Sequence, residues 1–135
     1  MKQLTDFAPD FAFVVKNGFD YIQEYLPPDS APFGNVVLSL RRNDVVLQFI
    51  QDRGQLLVDI GTAATGWFYL PQLLAAVEGM PKAAPLVGQL PPPAVLAAHL
   101  EQSWEQVMKV LTDERQRMRL LQTVTPQKSK WPYRS

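Results

Sequence analysis

The 135-residue chain contains no cysteine and a single histidine, and each lack removes a class of chemistry. Without cysteine there are no disulfides, thiolate metal sites, thiol nucleophiles or redox switches, a composition suited to a reducing, cytoplasmic setting. His99, in the segment AAHLEQ, has no second histidine with which to share a zinc ion. Its helical neighbours Val95, Leu96 and Ser103 mark it as a structural side chain rather than a catalytic base. The seven glycines stand singly at turn positions, so the chain has neither a phosphate-cradling loop nor a dinucleotide fingerprint. No apolar run approaches the ~18 residues of a membrane span. Asp6 and Asp10 interrupt the stretch where a signal peptide needs its apolar core. The expectation is one unexported domain off the membrane, without catalytic residue, cofactor or metal.

What is present is enough apolar residue for one core, arranged with clear periodicity. Phe7, Phe11, Val14 and Val15 fall at i, i+4, i+7 and i+8 and predict an N-terminal helix over 5–16. Thr5 or Asp6 would cap it, Pro9 would sit in its first turn, and Asn17-Gly18 would end it. The aromatic segment FDYIQEYL, stopped by Pro27-Pro28, predicts a strand. Residues 35–61 hold three alternating runs, NVVLSLR, DVVLQFIQD and QLLVDIG, separated by turns at Arg42-Asn43 and Arg53-Gly54. Leu38, Leu40, Leu47, Phe49, Val58 and Ile60 share one face, and Asp59 points the other way.

The motif WFYLPQLLAAVEG predicts a short helix with Pro71 in its first turn. Residues 79–93 carry five prolines and read as an irregular crossing segment. Apolar residues then recur at threes and fours over 93–122, a long C-terminal helix of ~45 Å. Either it breaks near Thr112-Asp113 or its end projects and meets another chain. Trp104, Met118 and Leu121 are the candidate self-association residues, and a homodimer is expected. The fold class is thus α+β: an antiparallel meander of about four strands with an N-terminal helix, a short helix and a long C-terminal helix. Residues 1–125 form the single domain and 126–135 a basic tail.

The net charge is zero but unevenly placed. Residues 1–108 hold six Lys/Arg against eleven Asp/Glu, and residues 109–135 hold seven against two. Such a split suits a charged partner or an intramolecular dock, and equally a solvated helix end with a polar tail. Arg115, Arg117 and Arg119, with Trp131 and Tyr133 in the tail, resemble a nucleic-acid patch only superficially. Arg117 leaves the face that Arg115 and Arg119 share, and the acidic remainder would repel a phosphate backbone. A protein partner is expected instead, with Asp20, Glu24, Asp29, Asp44, Asp52 and Asp59 as candidate partner-binding residues. The bland alternative is that these acids keep a sheet soluble.

The segment FGNVVLSLRRNDVVLQFIQDRGQLLVDIG, followed by WFYLPQLLAAV, resembles a pattern in small bacterial α+β proteins. Some of these look like immunity proteins of toxin-immunity systems. The resemblance covers residues 33–77 and implies a meander covered by helices and, for function, a non-enzymatic inhibitor that sequesters a toxin. The alternative is a self-associating structural or adaptor protein using the C-terminal helix.

Overall fold

The computed structural model describes residues 3–25, 36–52, 54–78 and 92–127. The proline-rich segment 79–91, Pro27-Pro28, Arg53 and the tail beyond Gln127, with Trp131 and Tyr133, lie outside the described residues. The three apolar runs are strands β2 (Val36–Arg42), β3 (Val45–Asp52) and β4 (Gln55–Thr62). Two-residue turns join them. Asn43, at φ 53°, occupies the left-handed region that asparagine tolerates, and Gly54 does the same at φ 81°. The register pairs Leu38 with Phe49, Leu40 with Leu47, Phe49 with Val58 and Leu47 with Ile60, so one face is continuously apolar.

Strand β1 (Asp20–Tyr25) pairs with β2, with a shift of register between Tyr21 and Gln23. Among the described residues the meander has five strands in the order β1-β2-β3-β4-β5, not about four. The additional strand is β5 (Gly66–Tyr69), a segment whose aromatics the sequence assigns to the start of a helix. The loop before it explains the difference. Thr62 and Thr65 close a tight turn through their hydroxyls and backbone, with Thr62 N–H donating to Thr65 Oγ1 at 3.0 Å. Gly66, at φ 79°, then sends the chain back along β4. Aromatic residues favour the pleated surface they meet there. The helix begins only at α3 (Leu70–Val77), with Pro71 in its first turn.

The N-terminal helix is likewise divided into α1 (Leu4–Phe7), a 3₁₀ turn (Pro9–Phe11) and α2 (Phe13–Lys16). Helix formation starts at Leu4, so Pro9 falls past the first turn, where proline has no N–H to donate and pushes its predecessor off helical angles. Ala8 accordingly sits at φ −141° and ψ 57°. The long C-terminal helix is not one rod. It is α4 (Pro93–Gln102), α5 (Trp104–Thr112) and α6 (Glu114–Thr123), separated at Ser103 and Asp113. Asp113 is extended and its Oδ2 accepts the Gln116 backbone N–H at 3.0 Å, an N-cap that starts α6 and lets it fold back on α5.

The helices cover the apolar face of the sheet. Phe11 meets Phe49 edge-on at 5.1 Å, and Trp104 meets Phe13 and Phe19 at 5.7 and 5.5 Å. Leu73, Leu74, Leu100, Val107 and Leu111 are buried above the strands, each burial contributing about 1.5–3 kcal/mol. The opposite face is not a solvated one. Val37, Ser39, Val46, Gln48, Asp59 and Trp67, whose positions alternate with the core residues, are buried as well. No helix among the described residues is long and apolar enough to cross a membrane.

Candidate functional site

Polar groups gather in several places among the described residues, the first being the buried second face of the sheet. The register sets Ser39 beside Gln48, Gln48 beside Asp59 and Asp59 beside Tyr69, a polar row crossing four strands. Asp59 Oδ1 accepts the Gln127 side-chain N–H at 2.9 Å, and the Gln127 backbone N–H donates to Trp67 O at 2.7 Å. The chain beyond α6 is thereby tied to β5 and to the row. Burial, and secondarily the Asp59 carboxylate, hold the Tyr69 phenol above its ordinary pKa of 10.0. A pocket of ≈ 310 Å³ opens beside them, lined by Leu57, Asp59, Tyr69, Gln72 and Gln127. Ser39 has an amide, not a base, as its row neighbour on β3, so the row is a hydrogen-bonding array and not a nucleophile beside its activator.

The six acidic candidates are not brought together. Asp20, exposed, opens β1 opposite Arg41, and Asp44, exposed, lies in the β2–β3 turn, at the same end of the sheet as Arg41 and Arg42. Asp52 ends β3 at the opposite end, in register with Gln55. Asp59 is 1% exposed at the middle of the second face, so it cannot meet a docking protein without the sheet being uncovered. Asp29 and the side chains of Glu24 and Asp52 lie outside what is described. His99 bonds Glu78, tying α4 to the end of α3. Among the described residues no group of three metal-ligating side chains stands together.

The second place is the helical layer. Folding α6 back on α5 leaves a groove of ≈ 530 Å³ between α3, α5 and α6. Its lining is mixed: Ala76, Val77, Val110 and Leu120 are apolar, Gln106, Gln116 and Thr123 are polar, and Arg115 and Arg119, one helical turn apart and exposed, stand along its α6 side. Neither guanidinium makes an ion pair among the described residues. Asp113, which also borders the groove, is engaged as the α6 cap.

Of the three self-association candidates, Trp104 is spent within the chain, its ring lying against Phe13 and Phe19. Met118 is 58% and Leu121 38% exposed on the side of α6 turned away from the groove. Sequence reasoning did not find the groove because its lining comes from three separated segments. The one available signal was the Thr112-Asp113 cap, which implies a turn but not its direction. No family model, curated protein or solved structure matches the chain.

Proposed function

We propose that the chain is a non-enzymatic protein-binding domain that receives its partner on the helical layer. The observation that carries this reading is the groove, where two guanidiniums without an ion pair among the described residues stand beside the apolar side chains of Ala76, Val77, Val110 and Leu120. Like charges one turn apart cost a helix a few tenths of a kcal/mol. A partner carboxylate would relieve that repulsion while apolar side chains fill the groove, the combination found in helix-in-groove recognition. Sequestration of a toxin is one form of this reading, to which the separated positions of Asp20, Asp44 and Asp59 lend no single acidic face.

A photo-crosslinking residue in place of Thr123, exposed at the groove, tests it in living cells. The expected outcome is one defined crosslinked protein, lost when Arg115 and Arg119 are both changed to Glu. Absence of any protein adduct overturns the reading. A second reading, self-association through the outer side of α6, is favoured by the exposure of Met118 and Leu121. Replacing both by Asp would then dissolve an oligomer and leave the Thr123 adduct unchanged.

A further inference from the structure

We infer that the groove between α3, α5 and α6 is filled by a second copy of this chain, through the outward ridge of α4 and the start of α5. This inference rests on the groove being a protein-binding surface and names what binds there. Val95, Ala98, Glu101 and Glu105 follow one another at intervals of three, three and four residues, and all four are exposed. Within α4 the spacing lays Val95, Ala98 and Glu101 along one side, and Glu105 follows in the first turn of α5. Ser103 separates the two helices and is hydrogen-bonded to each, its N–H donating to His99 O and its carbonyl accepting from Val107 N–H, so Glu105 stands on the helix that follows the ridge of α4. Glu101 and Glu105 border one pocket of ≈ 560 Å³ beside Trp104, which places them as neighbours.

The ridge is the chemical complement of the groove. Val95, 59% exposed, and Ala98 are small apolar side chains of a size to enter a lining of Ala76, Val77, Val110 and Leu120. Glu101 and Glu105 carry negative charge at a four-residue spacing, the spacing at which Arg115 and Arg119 carry positive charge. Neither Glu101 nor Glu105 makes an ion pair among the described residues, and neither does either arginine. Each pair repels itself within one chain and is neutralised by the opposite pair of another. The division of charge between residues 1–108 and 109–135, which cancels to zero over the chain, has the same sense. Each copy offers one groove and one ridge, and two reciprocal contacts close a two-fold dimer.

The test is charge exchange in the full chain at tens of micromolar, read by sedimentation velocity and native mass spectrometry. Wild type is expected to be a dimer that loosens at high salt. Arg115→Glu with Arg119→Glu, and separately Glu101→Arg with Glu105→Arg, are expected to weaken dimerisation at least about a hundredfold, as like charges come face to face. All four positions are exposed, and circular dichroism of each variant verifies folding. Mixing the two variants is expected to restore a dimer containing one chain of each, and one chain carrying all four reversals is expected to pair with itself. A monomeric wild type overturns the inference, as does a folded mixture that stays monomeric. So does a dimer indifferent to these charges but broken by Met118→Asp with Leu121→Asp, which would place the contact on the other side of α6. A monomer whose Thr123 crosslinker captures a different protein overturns the second copy as occupant and leaves the protein-binding role standing.

Discussion

Gln48 and Asp59 stand next to each other in register on the second face of the sheet, and burial treats them differently. Asp59 is 1% exposed and is held by the Gln127 amide, so its charge is buried with a donor in place. Gln48 is fully buried, and neither its Nε2 nor its Oε1 has a partner among the described residues. A buried amide without hydrogen bonds costs about 1–3 kcal/mol. Gln48→Met, close in volume and lacking the polar atoms, is therefore expected to raise stability by about 1 kcal/mol in urea melts. Asp59→Lys is expected to lower it by about 3 kcal/mol, since it sets a cation beside the Gln127 donor at a position only 1% exposed. A loss of stability in Gln48→Met would show that the amide is satisfied in solution. That Asp59 faces away from the core was legible from the alternation of β4. Its burial was not, because alternation assigns a side chain to a face and says nothing of what covers that face.

At the scale of elements, the turns and caps decide where each segment ends. Pro9 and Asp113 both interrupt apolar periodicities that continue through them, the first by its missing N–H and the second by offering a side-chain acceptor. Asp113→Ala is expected to cost about 1 kcal/mol and to speed hydrogen exchange at the first amides of α6, while Asp113→Asn, still an acceptor, stays near wild type. Equal exchange in all three would mean that packing on α5 alone fixes the start of α6. The strands of residues 35–61 were legible because alternation, turn residues and spacing agree there. The strand Gly66–Tyr69 was not, since four residues are too few to establish a period and the apolar stripe of α3 follows directly. The outer edge of β5 receives the Gln127 backbone N–H at Trp67 O, and the edge strand β1 carries a register shift, so both ends of the sheet have a feature that opposes strand addition.

Among the described residues an apolar cluster joins the N-terminal segment, the meander and the C-terminal helices, while Val37, Val46 and Trp67 are buried on the other sheet face. Phe49 lies at the centre of that cluster, fully buried on the middle strand and in edge contact with Phe11. Phe49→Ala is expected to cost about 3–5 kcal/mol through the cavity it leaves, and the loss should appear as one cooperative shift of circular dichroism and tryptophan fluorescence together. A change within half a kcal/mol would place Phe49 outside the core.

The sequence by itself determined the α+β class, the antiparallel meander, its apolar face and the uneven division of charge. These follow from local rules of alternation, helical period and turn chemistry, each of which acts within a few residues. Only the tertiary structure decided that the second sheet face is closed, that the last helix folds back, and that Arg115 and Arg119 come to flank a lining drawn from Val77, Val110 and Leu120. Those outcomes depend on which distant segments cover one another, and hydrophobic burial has no direction of its own from which a sequence period could reveal the partner surface.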